Sequence, residues 1–335
     1  VFRTHGILNL NVLPTMPTLT APTIDDIREA RMTAGKHILR TPLRRYPILS
    51  ELLDADVWVK HENFQLLGSF KVRGGINLVS QTSHTDRARG FVTASSGNHG
   101  QSIAYASRAF DAPCTIVLPE GANPVKAGSI TALGAKLVFH GNVVERSRER
   151  AEELAKNEGM RFVCVANEPA LIAGVGTYSL EIHDDLDRID VLIVPVGAGS
   201  GASGACIVTD AVSPSTRVIG VQSASAPAAF HAWRSGRFEV YPMSTTAEGL
   251  ATESAYPLTI GILREKLDEF LLVQDSEIAA AIKHYVHATR SLVEHAGAAS
   301  LAAAINIKAS LKGKRVVLVA SGGNLTTDQL KAVLT

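Results

Sequence analysis

The strongest constraint on this chain is an alternation that begins near residue 90 and runs almost to the end. Short apolar runs at 91–94, 114–118, 137–140, 162–165, 191–196, 217–221 and 316–320 are separated by stretches of helical periodicity at 101–110, 124–133, 143–157, 169–186, and near 275–290 and 296–310. An apolar run without polar alternation reads as a strand covered on both faces. Strands joined through helices pair in parallel, because each connection must cross over the sheet. The chain is therefore expected to be α/β, with helices on both sides of parallel sheet. Upstream, Thr23 and Asp26 form a capping pair ahead of an apolar stripe at Ile24, Ile27, Ala30, Ala34 and Ile38, and a short strand is expected at 57–59. The run from 90 to 167 has enough strands for a small sheet of its own. The expected division is a large domain of residues 16–89 and 168–335, a small domain of 90–167, and a tail of 1–15 before a natural start at Met16.

Bulk properties remove several classes of function. A net charge of +1 over 335 residues leaves no footprint for nucleic acid or an anionic membrane, and 5% aromatics argues against a base-stacking surface. No apolar run is long enough to cross a bilayer, and the first residues lack the pattern of a signal peptide. Cys114, Cys164 and Cys206 are odd in number and widely spaced, which suits buried free thiols in a reducing, cytoplasmic setting. His284 and His287 read as helix-surface residues, His183-Asp184-Asp185 as a solvated helix end, and His231 and Trp233 as packing on a surface helix.

In open α/β sheets, ligands bind beyond the carboxyl ends of the strands. Three such ends carry unusual sequence. The run at 91–94 leads into Ser95-Ser96-Gly97-Asn98-His99-Gly100, where small residues expose backbone N–H groups at a helix start, a setting that favours a carboxylate. The run at 191–196 leads into Gly197-Ala198-Gly199-Ser200-Gly201-Ala202-Ser203-Gly204, which suits a phosphate cradle. That loop lacks the Lys-Ser or Lys-Thr ending of a P-loop. It half-fits a dinucleotide fingerprint, so a nucleotide-binding oxidoreductase is an alternative, but Gln222 stands near where an acidic residue would be needed. The run at 316–320 leads into Ser321-Gly322-Gly323-Asn324, which alone reads as a tight turn. A fourth element, Gly68-Ser69-Phe70-Lys71-Val72-Arg73-Gly74-Gly75, sets a lone lysine in an apparent turn among glycines.

These four elements, in this order, resemble the fold-type II enzymes that use pyridoxal 5'-phosphate (PLP), and within them the serine/threonine dehydratase and serine racemase group. The resemblance spans roughly residues 20–335. It implies two three-layer, parallel-sheet domains of the tryptophan synthase β-like type with PLP between them, and a homodimer. Lys71 would hold the cofactor as a Schiff base, with Phe70 against its ring and Asn98 on its 3′ oxygen. Backbone N–H groups of Gly197, Ala198, Gly199, Ser200 and Gly201 would bind the phosphate, and Ser321 the pyridine nitrogen. Gly249 and Glu294 would lie beside the ring. Ser95, Ser96, Asn98 and His99 would surround the substrate carboxylate.

The chain departs from the family pattern in places. The glycine tetrad is Gly-Ala-Gly-Ser-Gly, Glu248 replaces an aspartate, and Gln222 and Ala228 stand where some members hold a cation, so no metal is expected. No regulatory domain is expected after residue 335. The implied reaction is β-elimination from a small β-hydroxy amino acid such as L-threonine or L-serine, with Lys71 taking the Cα proton and releasing a 2-oxo acid and ammonia. A hydroxyl such as that of Ser321 leaves the pyridine nitrogen largely unprotonated, which favours prompt loss of a β-group. Serine racemisation, with Ser96 as a second acid–base group, and dehydration of 3-hydroxyaspartate are the alternatives. The side-chain pocket is expected from segments 167–178 and 248–256, including Glu253 and Tyr256.

Overall fold

Ten strands form in the computed structural model, which describes residues 19–335; the expectations for residues 1–15 and Met16 lie outside the described residues. They are β1 (Leu43–Arg45), β2 (Asp56–His61), β3 (Phe91–Ala94), β4 (Cys114–Leu118), β5 (Lys136–Phe139), β6 (Arg161–Phe162), β7 (Val191–Pro195), β8 (Arg217–Ser223), β9 (Glu269–Val273) and β10 (Arg315–Ala320). A six-stranded sheet has the order β1-β2-β10-β7-β8-β9, and a four-stranded sheet the order β5-β4-β3-β6. All pairings are parallel except β1 with β2. Every expected strand is present, with ends shifted by up to three residues. Two were not expected. β1 is three residues long, mostly exposed and antiparallel, so it carries no apolar run to read. β9 opens on Glu269 and stops directly against the helix Asp275–Thr289.

Period-two alternation is clearest in β10. Val317 and Val319 enter one core, while Val316, Leu318 and Ala320 enter another on the opposite face. Both faces of the large sheet are thus covered, as its uniformly apolar strands require. The smaller sheet has its own cores, one of which receives Val72, Ile76 and Val79 from the helix Lys71–Gln81. At the N-terminal helix Ile24–Ala34, Thr23 and Asp26 do form the capping box, and Ile27, Ala30 and Ala34 are buried. Ile38 lies beyond that helix. No helix among the described residues is long and apolar enough to cross a membrane.

The helix Lys71–Gln81 corrects the reading of Lys71 as a turn residue. Paired glycines at 74 and 75 weaken a helix by propensity, but here close packing demands them. A Cβ on Gly74 would lie 2.8 Å from the Leu171 carbonyl oxygen, and one on Gly75 would lie 2.3 Å from Ser102 Oγ. The helix therefore fits between the helices Pro169–Asp185 and Asn98–Ala109 only without side chains at those points.

Buried charge fixes the same helix. Arg73 donates from Nε and Nη2 to both oxygens of Glu62 at 2.8 and 2.9 Å, and from Nη1 and Nη2 to both oxygens of Glu181 at 2.7 and 2.9 Å. Lys60 Nζ donates to Glu181 at 2.5 Å and to the Thr41 carbonyl at 2.8 Å. All four charged residues are buried. Replacing Arg73 by Met would leave two buried carboxylates with Lys60 as their one charged partner and Glu62 without a cation. We expect Arg73→Met to lose about 3–5 kcal/mol of stability in urea unfolding; a loss below about 1 kcal/mol would contradict this role for the cluster.

Candidate active site

A cavity of ≈ 440 Å³ opens at the carboxyl ends of β3, β7 and β10, between the two sheets. Phe70, Lys71, Ser95, Ser96, Asn98, His99, Gly197, Ala198, Gly199, Ser200, Gly201, Gly249, Glu294 and Ser321 all line it. The four sequence elements are joined by hydrogen bonds. The Phe70 N–H donates to the Ser321 carbonyl at 3.2 Å, the Gly323 N–H to the Gly68 carbonyl at 2.8 Å, and Asn324 Nδ2 to Asn98 Oδ1 at 2.7 Å. Gly68 sits at φ +64°, and a Cβ there would lie 2.7 Å from Asn324 Oδ1, so the position favours glycine.

Lys71 is the first residue of its helix, and Ser102 Oγ donates to its carbonyl at 2.6 Å. Its Nζ donates to Ser200 Oγ at 2.9 Å and lies 5.4 Å from the centre of the Phe70 ring. Removal from water pulls the amine down to about 8 from the ordinary lysine value. A free lysine at neutral pH is almost wholly ammonium; this one has a usable neutral fraction.

The loop after β7 forms the N-terminal end of the helix Ser200–Val212. Gly199 has φ +94°, which turns the chain into that helix. A Cβ on Gly197 would lie 2.1 Å from the Gly249 carbonyl oxygen, and one on Gly201 3.1 Å from the Phe70 ring. Glycine at those points lets the loop pack against the Gly249 backbone and the Phe70 ring, and the helix start that the loop forms lines the cavity, a setting that favours an anion. Tyr178 supports the loop from behind, donating to the Gly201 carbonyl at 3.1 Å. An anion cradle and an amine of lowered basicity on one cavity fit a phosphate-bearing aldehyde such as PLP.

Asn98 is held on both sides. Its Oδ1 accepts from Asn324, and its Nδ2 donates to Glu294 Oε1 at 2.8 Å. His99 is buried with its ring 3.1 Å from Thr93 Oγ1, and burial pushes it down to about 3, so it is neutral at physiological pH. Burial pushes the Glu294 carboxyl up to about 7, against the opposing hydrogen bond from Asn98.

Some site features were missed or misread from sequence. Cys164 is not in a strand or fully buried: it follows β6, lines the cavity and lies near Lys71. Segment 248–256 lines the cavity, including Glu253 and Tyr256, but 167–178 does not; Val144, Glu145, Arg148 and residues 162–165 take that wall. The helix Pro169–Asp185 instead packs against the lysine helix, where Asn77 donates to the Ala170 carbonyl. Asn324 carried a signal in its motif, whereas Arg148 and Cys164 lie in ordinary sequence with none.

Fold and site together define a two-sheet α/β protein whose inter-sheet cavity carries a lysine and a glycine-rich helix start suited to a phosphate-bearing cofactor. The chain belongs to the pyridoxal-phosphate-dependent enzyme family, whose model matches residues 35–322. It is 37% identical to the L-threonine ammonia-lyase of Thermotoga maritima over 313 residues, covering 93% of this chain and 78% of that one. It is 31% identical to the L-threo-3-hydroxyaspartate ammonia-lyase of Saccharomyces cerevisiae, covering 92% and 94%. The crystal structure of serine racemase from Dictyostelium discoideum superposes with a TM-score of 0.86 at 32% identity, covering 91% of this chain and 99% of that one. Family membership leaves the nucleotide-binding alternative without support.

The raised Glu294 value has a consequence for stability. Between about pH 4.5 and 7 the folded state binds more protons than the unfolded one, so this group's contribution falls as pH rises. Glu294→Gln lacks that loss. Its stability relative to the parent protein should rise by roughly 2–3 kcal/mol across the window and then level off. Denaturant midpoints measured from pH 4.5 to 8 check this, and a flat difference would contradict it.

Proposed function

We propose that this protein is a PLP-dependent ammonia-lyase that dehydrates and deaminates a small β-hydroxy amino acid, L-threonine or L-serine by default. The observation that carries the reading is Lys71, a lysine of lowered basicity facing an anion cradle and the Ser95–Gly100 loop across one cavity. PLP, when bound, supplies an electron sink for charge released at Cα. The chain supplies the rest. Lys71 anchors the cofactor and takes the Cα proton. Backbone N–H groups of Gly197, Ala198, Gly199, Ser200 and Gly201 would hold the phosphate. Phe70 would pack against the ring, Ser321 would meet its nitrogen and Asn98 its 3′ oxygen, and Gly249 and Glu294 would flank it. Ser95, Ser96, Asn98 and His99 hold the substrate carboxylate. The Cα proton accepted at Lys71 would balance the proton that departs with the β-hydroxyl as water, and the remaining enamine would take up water to give a 2-oxo acid and ammonia.

Two variations keep the same site. Ser96 lines the cavity and would return a proton to the opposite face of Cα in a racemase. Arg148 lines it too, with Nε held on Glu152 at 2.9 Å, so a second substrate carboxylate, as in 3-hydroxyaspartate, would find a guanidinium. The same reading includes residues 16–89 with 168–335 and 90–167 as large and small domains, a homodimer and a cytoplasmic location. Sedimentation and cell fractionation address the last two.

Ammonia and 2-oxo acid should form from L-threonine, L-serine or threo-3-hydroxyaspartate. Lys71→Ala should lower the rate by at least about a thousandfold and lose the visible absorbance of lysine-bound cofactor. Absence of ammonia from all three substrates would overturn the reading, and D-serine formed faster than ammonia would favour the racemase.

A further inference from the structure

Ser200 offers more than its backbone to this site. An anion cradle needs only the N–H at that position. A serine at a helix start ordinarily caps the helix. Here the N-cap is Gly199, Ser200 is the first helical residue, and no side-chain cap bond is made. Ser203, one turn on, turns away to the Thr259 carbonyl at 3.4 Å. The Ser200 side chain is buried, and its Oγ is the one hydrogen-bond partner of Lys71 Nζ among the described residues, at 2.9 Å.

We propose that Ser200 is a positioning residue for the free amine of Lys71: its hydroxyl receives that amine at the edge of the anion cradle and sets where it waits between proton transfers. This rests on the reading of Lys71 as the reactive lysine. The amine donates to Oγ, which leaves the hydroxyl proton free to point toward an anion in the cradle. No bond is made or broken by Ser200. An acceptor favours the charged form of its donor, so the contact opposes the burial that lowers the amine to about 8. The nearby titratable groups are Cys164, from the loop after β6, and His99, from the helix Asn98–Ala109; Glu294 and Arg148 line the same cavity further off.

The test uses the full-length chain stripped of cofactor and reacted with pyridoxal, which lacks the phosphate. The pH midpoint of that reaction reports the Lys71 amine. Ser200→Ala keeps the backbone N–H but removes the acceptor, so the midpoint should move down by roughly half a unit to one unit. Ser200→Thr keeps the hydroxyl and should restore it. In the holoenzyme, exchange of the glycine Cα hydrogen with deuterated solvent should slow about tenfold in Ser200→Ala. An unmoved midpoint, with PLP affinity alone reduced, would make Ser200 a phosphate ligand only and overturn the proposal. Failure of the unaltered enzyme to release ammonia would overturn the lyase reading instead and leave the midpoint result standing.

Discussion

Arg73 and the two carboxylates it bridges hold the helix that begins at Lys71 in place. Glu62 follows β2, Glu181 lies in the helix Pro169–Asp185, and Arg73 sits two residues beyond Lys71. The guanidinium fork reaches both carboxylates at once, and Lys60 shares the Glu181 Oε2 that also accepts from Arg73 Nη2. Such a cluster adds little net stability over a well-packed apolar equivalent, but it tolerates no shift of its members, because any stranded charge is costly in a dry interior. That intolerance gives the start of the lysine helix a single position.

Close backbone contact then sets the other half of the geometry. Gly74 and Gly75 let the lysine helix approach its two neighbours, and a Cβ on Gly204 would lie 2.6 Å from the Gly176 α-carbon where the cradle helix meets the helix Pro169–Asp185. Glycines at these points weaken each helix locally, yet they bring the N-terminal ends of two helices, carrying Lys71 and Ser200, within hydrogen-bond distance. Helix stability has been given up for site geometry, and tertiary packing restores it. The Asn324–Asn98–Glu294 chain does the same for the opposite wall, linking loops 226 and 196 residues apart along the chain.

What was legible in the sequence had a local physical signature. Continuous apolar runs gave β2 to β8 and β10; in central strands such as β4, β7 and β10 the reason is cover on both faces, whereas β5 and β6 are half-exposed edge strands. Glycine and serine runs at strand ends marked the cavity loops, because exposed backbone donors need small residues. Elements without such a signature were not legible: β1 is too short and too exposed, and β9 begins with a charge. The wall assigned to 167–178 falls to Arg148, Cys164 and their neighbours, because which helix faces the cleft depends on how the two sheets meet.

The amino-acid sequence by itself determined the α/β class, the parallel strands, the order of the four site elements and their joint resemblance to PLP enzymes, since each is a property of a short stretch read in order. Only the tertiary structure decided that Lys71 begins a helix, that its amine rests on Ser200, and that Glu294 holds Asn98. Those contacts join residues far apart in the chain, and they are enforced by buried charge and by glycine-permitted backbone approach. Neither constraint acts until the two sheets are packed and water is excluded.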